Sequence, residues 1–503
     1  MAEAKSLIKD STIYGGSTIL VRMISWLMTP LFVIFTETSD VGMVTNLYAY
    51  AALFSVVLTF GLETGFFRFV NQVPKEKQGS VYSTALVIIS SIVLFFLFFF
   101  LVFIGKIHPY IWDSSIPDSY LRMVVIILSM DAFISMPFAF LRHEKKPYKF
   151  GFFKLLQSVL YVLLCVFFLV VCPRINESHP EWISWFWKEN NNVGYILVSN
   201  LIATGIQTLC LLPTLTGFKF SFDSQLAKKI MHYCFPLMIM GLAGMSNQVV
   251  DKIIFPAFYP DPENAMSELG IYGACFKIGV IMVIFTQAFR YAYDPFMFEK
   301  SKEKNAKESY ATIMKYFVVV GLLVFLGVTF YLDIIKYIIV PKTEYFVALT
   351  VVPIVLMGEL FFAVYYNLSL WYKLTDKTYW GTIFSSIGFV LIILLNIVFI
   401  PKYGYMACAW ASFAGNGLIM LLSYLVGQKQ FPIKYDLKTL FLYLSVAMLL
   451  YCIAIFVPIE NLWLRLGFRT FLIGIYFTLL IKRDLPLKEI PYINQFLKKY
   501  QTK

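Results

Sequence analysis

Polar side chains recur along the first apolar run of the chain at a spacing that places them on one side of a helix. Gly15, Thr18, Arg22, Ser25 and Thr29 are separated by three, four, three and four positions. Because a helix repeats every 3.6 residues, these residues share one face. An arginine at the centre of an apolar helix costs about 2.5 to 3.5 kcal/mol on insertion scales, so it normally faces a polar cavity. Arg22, with Thr18 and Ser25 beside it, is therefore predicted to bind an anion.

Further cations lie in other apolar runs. Lys277 is in the eighth run, Arg290 follows near its end, and Arg68 closes the second run. Lys277 lies deep in its run, so we predict that it lines a path for an anionic substrate together with Arg22. Arg290 and Arg68 are added as further substrate-binding candidates. Arg68 is close to the end of a helix, where its head group can instead reach the membrane surface.

Acidic residues within the apolar runs form a second set. The set consists of Glu63, Asp131, Asp251, Glu359 and Asp294, with Lys252 next to Asp251. Membrane-embedded carboxylates often carry protons or cations, so we predict roles for this set in ion coupling or gating. Structural roles stay open for two of its members. Glu63 can pair with Arg68 five residues later, and Asp251 with Lys252 can form an ion pair that stabilises the bundle.

The sequence offers no pattern typical of an enzyme or a metal site. Its seven cysteines have no paired spacing, its four histidines lie near loops, and it has neither a Gly-rich phosphate loop nor a His-Glu-x-x-His pair. The basic residues are dispersed in small groups, which argues against nucleic-acid binding. We therefore predict no cofactor, no metal, no nucleic-acid partner and no catalytic activity.

Membrane-spanning helices must position these residues. The chain is 59% hydrophobic and 14% charged, too apolar for a soluble protein of 503 residues. About fourteen apolar runs, each long enough to cross a bilayer, lie between Ile13 and Ile481. Lysines and arginines collect in every second gap, whereas the alternate gaps hold only Lys106, Arg174, Lys188, Lys336, Lys342, Lys402 and Arg465. The positive-inside rule then places both termini in the cytoplasm.

Short matches six helices apart indicate an internal repeat. Ser-Asp-Val-Gly-Met at 39–43 resembles Ser-Glu-Leu-Gly-Ile at 267–271, and Gly-Tyr-Ile at 194–196 resembles Gly-Tyr-Met at 404–406. Parallel repeats of this kind are related by an axis along the membrane normal. We predict two pseudo-symmetric six-helix lobes plus two C-terminal helices. The predicted boundaries are 1–218 and 219–430 for the lobes, 431–482 for the two added helices and 483–503 for a cytoplasmic tail.

Several segments resemble a known family of membrane proteins. They are Gly-Leu-Glu-Thr-Gly-Phe-Phe-Arg-Phe at 61–69, the stretch 39–50, Asp251-Lys252, Ala-Phe-Arg at 288–290, Asp-Pro-Phe at 294–296, Gly404-Tyr405 and Ala-Trp-Ala at 409–411. In these segments the chain resembles the bacterial polysaccharide-biosynthesis flippases of the multidrug/oligosaccharidyl-lipid/polysaccharide (MOP) exporter superfamily. The resemblance covers nearly the whole chain in topology, and residues 61–69 are its most specific part.

The resemblance implies a two-lobed transporter of the bacterial inner membrane. Such a protein flips undecaprenyl-pyrophosphate-linked oligosaccharide from the cytoplasmic to the outer leaflet by alternating access. The implied partners are this substrate and membrane lipid, with a polysaccharide polymerase and chain-length machinery as further expected partners. Arg22 matches the helix 1 arginine that the family associates with pyrophosphate. The first two helices lack the dense arginines of the peptidoglycan-precursor branch, which favours an O-antigen, capsule or exopolysaccharide unit over lipid II.

Two alternatives stay open. A proton- or sodium-coupled multidrug antiporter of the same superfamily would use Glu63, Asp131, Asp251 and Glu359 as its ion-coupling acids, although the cations of the first and eighth runs argue against it. A membrane enzyme acting on lipid-linked glycans would need an essential side chain at the outer face. His108 and His179 are the only outer histidines.

Overall fold

The computed structural model describes residues 2–215, 220–300, 303, 305–375 and 377–484. Of residues 2–12, 291, 292, 294–296, 298 and 299, the structure describes the backbone only. Within the described residues the chain is helical and contains no strand. Fourteen segments are long and apolar enough to cross a membrane, which confirms the predicted all-α fold with about fourteen spans. The two lobes and the cytoplasmic termini stay predictions, and residues 485–503 of the predicted tail lie outside the described residues.

The helices follow one another in a simple order along the chain. Their bounds are α1 (Ala2–Phe35), α2 (Thr38–Thr59), α3 (Leu62–Val70), α4 (Lys75–Ile111), α5 (Asp118–His143), α6 (Pro147–Val166), α7 (Cys172–Ser178), α8 (Asn192–Leu211), α9 (Ser224–Phe258), α10 (Ala265–Lys300), α11 (Ala306–Phe330), α12 (Leu332–Ile339), α13 (Val351–Leu368), α14 (Leu370–Leu374), α15 (Tyr379–Tyr403), α16 (Tyr405–Gln430), α17 (Leu437–Phe456) and α18 (Leu462–Arg483). A π-helical turn at Phe167–Val171 joins α6 to α7, and a 3-10 segment at Thr343–Thr350 precedes α13.

Polar residues at several helix starts satisfy backbone N–H groups that the helix itself leaves unpaired. Asp223 accepts hydrogen bonds from the N–H groups of Gln225 and Leu226 at the start of α9. Glu37 and Asp40 form a reciprocal capping box at the start of α2. Such caps stabilise a helix end by about 1 kcal/mol. They fix where α2 and α9 begin, and both helices contribute to the site described below.

A break divides the second membrane span into α2 and α3, where the sequence pattern predicts one continuous helix. Phe60 and Gly61 both have positive φ, at 52° and 68°. The left-handed region is free of steric cost for glycine and rare for phenylalanine. A Cβ atom on Gly61 would also lie 3.1 Å from Cβ of Leu237. The Gly61 position therefore combines a left-handed turn with a close approach to α9.

The chain forms two compact units. Unit 1 comprises Met1–Pro295 and Ile338–Gln430. In it, α13 packs along α16, α15 packs against both α16 and α9, and α9 packs against α2. The pairs α4 with α5, α6 with α8 and α1 with α6 complete the bundle. Unit 1 therefore contains most of the membrane spans, including those that carry Arg22, Asp131, Asp251, Lys277 and Glu359.

Unit 2 comprises Phe296–Tyr337 and Phe431–Lys503, and its described core is made of α11, α17 and α18. The hydroxyl of Tyr476 on α18 donates to the carbonyl of Val319 on α11 over 2.9 Å. At the end of α18, Asp484 accepts hydrogen bonds from Lys315 Nζ at 2.8 Å and Tyr443 OH at 2.7 Å. One carboxylate thus ties α11 and α17 to the end of α18.

Candidate functional site

A cavity of about 510 Å³ lies inside unit 1, among α1, α2, α5, α6, α8, α9, α10 and α13. Much of its wall is apolar, from side chains such as Val41, Met28 and Phe276. The polar lining residues are Ser25, Thr29, Thr45, Tyr48, Asp131, Gln157, Ser158, Tyr161, Asn200, Gln248, Lys252, Lys277 and Glu359. A volume of this size is typical of a small-molecule binding site.

Four residues of the acidic and basic types line the cavity. Asp131 and Glu359 are acidic, and Lys252 and Lys277 are basic. The sequence predicts an excess of cations at this depth, whereas the lining residues balance formally at two acids against two bases. The partners of each residue therefore decide which charge is available to a ligand.

Lys252 is held by the acid next to it in the chain. Its Nζ lies 3.1 and 3.0 Å from the two carboxylate oxygens of Asp251 and also donates to the Gln248 carbonyl. Asp251 is 1% exposed and accepts a 2.7 Å hydrogen bond from Tyr272 OH. Breaking such a pair by removing one partner leaves an uncompensated buried charge. Asp251 and Lys252 form the predicted ion pair, and Asp251 itself does not line the cavity.

Lys277 is the other cation of the cavity. It projects from α10 with its side chain exposed to the open space. Its carbonyl accepts a 2.7 Å hydrogen bond from Trp26 Nε1 on α1. The adjacent Ser25 of α1 also lines the cavity. The structure thus brings Ser25 and Trp26 of the first span close to Lys277 of the eighth, although the sequence places them more than 250 residues apart.

Uncharged side chains from α2, α6 and α8 form a hydrogen-bonded network in the wall. Asn200 Nδ2 donates to Tyr48 OH at 3.1 Å, and Gln157 Nε2 donates to Asn200 Oδ1 at 3.3 Å. The hydroxyls of Tyr48 and Tyr161 are 3.4 Å apart. Sequence reasoning from charges missed this network. The spacing of Asn200, Thr204 and Gln207, four and three residues apart on one helix face, was the signal that could have revealed part of it.

One pair of segments from the sequence repeat, 39–43 and 267–271, forms a close contact. A Cβ atom on Gly42 would lie 1.7 Å from the Met266 carbonyl oxygen, and one on Gly270 would lie 1.9 Å from the Thr38 carbonyl oxygen. The hydroxyls of Thr38 and Ser267 are 2.6 Å apart. We call this contact between the starts of α2 and α10 the glycine contact. Its two sides are equivalent, because each glycine approaches the backbone around the other.

The other predicted residues lie outside the cavity lining. Thr18 donates to the Tyr14 carbonyl at 2.8 Å, and Arg22 is exposed one turn before Ser25. The guanidinium of Arg290 lies 3.4 Å from the centre of the Tyr366 ring. The side chain of Asp294 lies outside the described residues.

Glu63 and Arg68 do not pair, contrary to the suggestion from sequence. Glu63 forms an ion pair with Arg142 of α5. Arg68 instead stacks on Tyr233 of α9, with its guanidinium 4.2 Å from the ring centre. Residues five apart on a helix do not share a face, which explains why each finds a partner on another helix.

A comparison with known protein families shows which family the chain belongs to. A family model described as polysaccharide biosynthesis protein matches residues 7–300, more than half of the sequence. The chain belongs to this family. The predicted resemblance is therefore confirmed. A comparison with curated proteins gives no match.

Solved structures share the fold of this polysaccharide biosynthesis family member. One titled "Lipid II flippase MurJ, inward closed conformation" has a TM-score of 0.70 and 15% identity, covering 94% of this chain and 99% of its own. An inward-facing multidrug resistance MATE family transporter of the MOP superfamily has a TM-score of 0.62 and 12% identity, covering 83% and 94%. A MOP superfamily transporter from Pyrococcus furiosus, whose title mentions a binding pocket of reverse polarity, has a TM-score of 0.58 and 12% identity, covering 84% and 95%.

Proposed function

We propose that the protein is a transporter that flips lipid-linked oligosaccharide across the bacterial inner membrane. The cargo is an undecaprenyl-pyrophosphate-linked repeat unit of a surface polysaccharide, moving from the cytoplasmic to the outer leaflet. Family membership supports the polysaccharide, and the MOP-type fold supports transport. The observation that carries the proposal is Lys277, a lysine exposed to a cavity within a membrane span.

Lys277 gives the cavity a cation that can attract a ligand with a negatively charged head. Lys252 is neutralised by Asp251, so Lys277 is the cation whose charge the cavity offers, with Arg22 one helical turn beyond Ser25 on α1. A lysine presents a compact charge that attracts pyrophosphate without the bidentate grip of an arginine. Moderate binding is what transport needs, because a substrate held too tightly is not released on the far side.

The hydrogen-bonding wall suits the sugar part of the cargo. The network around Tyr48, Gln157 and Asn200 presents phenol and amide groups to the cavity. Sugar hydroxyls both donate and accept hydrogen bonds, and amides and phenols can form both kinds of hydrogen bond with them. An oligosaccharide is larger than a 510 Å³ space, so the cavity holds the pyrophosphate and the nearest sugars while further sugars extend from it.

Alternating access requires one end of the cavity to be closed while the other is open. The glycine contact joins helix starts that the charge pattern places at the outer side of the membrane. Lys342 Nζ also donates to the Thr36 carbonyl at 2.9 Å near the start of α2. We infer that these contacts form the outer seal, and that α2 and α10 separate when the cargo leaves.

A cation antiporter of the same superfamily is the second candidate. Asp131 and Glu359 in the cavity wall favour it, because carboxylates attract cationic drugs and carry protons or sodium. Under this alternative the acids, rather than Lys277, would be indispensable. The two candidates therefore predict different essential residues.

Proteoliposomes containing the purified protein test both functions. The cargo is a fluorescent undecaprenyl-pyrophosphate oligosaccharide, and a cationic dye under a proton or sodium gradient is the competing cargo. We expect the native protein to flip the lipid, and Lys277→Gln and Arg22→Ala to lose most of the activity. Lys402→Gln, an exposed lysine away from the cavity, is the matched control. Dye transport that requires Asp131 and Glu359, without movement of the lipid, would replace the flippase with the antiporter.

A further inference from the structure

Asp131 lies at the middle of α5 and is exposed to the cavity of unit 1. Among the residues that the structure describes, none forms a hydrogen bond or an ion pair with its carboxylate. A carboxylate at the centre of a membrane span is costly, so such a residue normally has a function. Asp131 therefore presents to the cavity an acid that the side chains around it do not satisfy.

Lys154 of α6 attracts this carboxylate electrostatically without contacting it. The Lys154 Nζ atom lies 4.3 Å from the centre of the Phe138 ring, so its head group rests on an aromatic face. The lysine thus supplies positive charge near the acid and leaves both carboxylate oxygens unoccupied. An ionised carboxylate accepts hydrogen bonds at two oxygens and donates none. The open side of Asp131 suits a ligand that brings hydrogen-bond donors.

The amides in the same wall already bond one another. Asn200 Oδ1 accepts hydrogen bonds from Gln157 Nε2 and Thr204 Oγ1, both at 3.3 Å, and Asn200 Nδ2 donates to Tyr48 OH. Asp131 is close enough to Tyr48 to act on it electrostatically, which places the acid beside this network. Much of the hydrogen-bonding capacity of the amides is used within the wall, whereas that of Asp131 is open to a ligand.

The charges of Asp131 and Lys277 orient an anionic ligand in the cavity. Lys277 experiences the charge of Lys252, whereas Asp131 experiences that of Lys154, so the acid and the lysine occupy separate parts of the cavity. Because like charges repel, a pyrophosphate is drawn to Lys277 and kept away from Asp131. The uncharged part of the same ligand can then reach the acid.

We propose that Asp131 binds the sugar attached to the pyrophosphate by accepting hydrogen bonds from two neighbouring hydroxyls. This inference rests on the proposed flippase function and names a sugar subsite within it. Each carboxylate oxygen takes one donor, and O–H···O⁻ hydrogen bonds are among the short, strong class. A site that bonds a substrate hydroxyl discriminates strongly against an analogue without it. Asp131 is thus a specificity-determining residue for the sugar, rather than a carrier of a coupling ion.

Native mass spectrometry of the full chain in detergent measures this selectivity. The two probes are undecaprenyl pyrophosphate carrying one hexose and bare undecaprenyl pyrophosphate, titrated separately. The ratio of their dissociation constants is the sugar advantage. The variants are Asp131→Asn, which keeps the size of the side chain, and Lys277→Gln. Glu177→Gln, the same acid-to-amide change at an exposed residue of α7, is the matched control.

We expect the native protein and Glu177→Gln to bind the hexose lipid more tightly than the bare lipid. Asp131→Asn should reduce the sugar advantage about 10- to 100-fold, the effect of losing a hydrogen bond to a charged group. It should bind the bare lipid at least as tightly as the native protein does, because the repulsion of pyrophosphate is removed. Lys277→Gln should weaken both lipids alike and leave the sugar advantage unchanged.

The role of Asp131 is overturned if the native protein has no sugar advantage, or if Asp131→Asn keeps the advantage that Glu177→Gln shows. An Asp131→Asn variant that weakens both lipids equally also overturns it, since the residue then supports the fold rather than the sugar. These results leave the flippase standing when the native protein binds both lipids and Lys277→Gln weakens them. A native protein that binds neither lipid refutes the flippase, and the sugar subsite with it.

Discussion

Replacing Gly42 by alanine tests the inference that the glycine contact is the outer seal. The added Cβ atom would lie 1.7 Å from the Met266 carbonyl oxygen, where ordinary contact begins near 3.4 Å. The clash is with a backbone atom, and a change of side-chain rotamer cannot relieve it. The starts of α2 and α10 must therefore separate by roughly 1.7 Å. Overpacking of this kind costs about 1 to 3 kcal/mol.

Gly42→Ala raises the free energy of the sealed state only, because the open state lacks the contact. A change of 1 to 3 kcal/mol shifts the ratio of open to sealed protein by about 5- to 150-fold. Ser267→Cys provides the probe, since the Ser267 hydroxyl lies 2.6 Å from that of Thr38 within the contact. We expect a membrane-impermeant maleimide added from outside to label this cysteine faster when Gly42→Ala is also present. The labelling of the exposed native residues Cys210 and Cys452 is subtracted using protein without the probe.

Gly205→Ala is the matched control. A Cβ atom there meets nothing within 4 Å, so the substitution adds the same methyl group to a helix without a clash. It should leave the labelling rate unchanged and slightly stabilise α8, because alanine is the better helix former. Equal labelling rates in Gly42→Ala and Gly205→Ala, in protein that elutes as a single folded species, would refute the assignment of the seal.

Three further predictions follow from contacts in the two units. Thr38→Cys with Ser267→Cys should form a disulfide that blocks transport until a reductant is added, whereas either substitution alone should leave transport intact. Asp251→Asn removes the carboxylate that contacts Lys252 Nζ and should cost about 3 to 5 kcal/mol. Thermal unfolding should show that Asp251→Asn with Lys252→Met recovers most of this loss. Burial raises the pKa of Asp484, but hydrogen bonds from Lys315 and Tyr443 and the nearby positive charges outweigh it and lower that pKa overall. Its stabilising effect is therefore complete above its ordinary pKa near 4 and is lost as the pH falls through the lowered folded value. Asp484→Asn should remove this part of the acid dependence of the unfolding temperature.

The membrane spans could be predicted from sequence because length and apolar character alone specify them. The apolar run at 405–427 in the sequence corresponds closely to α16 (Tyr405–Gln430). The ends differ most where a helix continues beyond the apolar region. The third apolar run covers 81–104 in the sequence, whereas α4 (Lys75–Ile111) extends into polar residues at both ends. Polar residues at a membrane surface are compatible with helix, so hydropathy cannot locate the last turn.

Only part of the site could be predicted from the sequence. Charged residues in apolar runs stand out, and four of them, Asp131, Lys252, Lys277 and Glu359, line the cavity. Which charges cancel depends on neighbours distant in the chain, as the ion pair of Glu63 with Arg142 illustrates. Tyr48, Gln157 and Asn200 are unremarkable in sequence because tyrosine and amides occur widely in helices. Their network exists only after α2, α6 and α8 pack together.

The reciprocity of the glycine contact affects how amino-acid substitutions can alter its strength. Gly42 approaches Met266 and Gly270, while Gly270 approaches Thr38 and Gly42, which is the pattern of an isologous interface between two identical subunits. In a homodimer, one substitution would alter both sides of such a contact at once. Here the two glycines occupy separate positions in one chain, so each side can be altered alone. The strength of the contact can therefore be adjusted in smaller steps than a symmetric dimer permits.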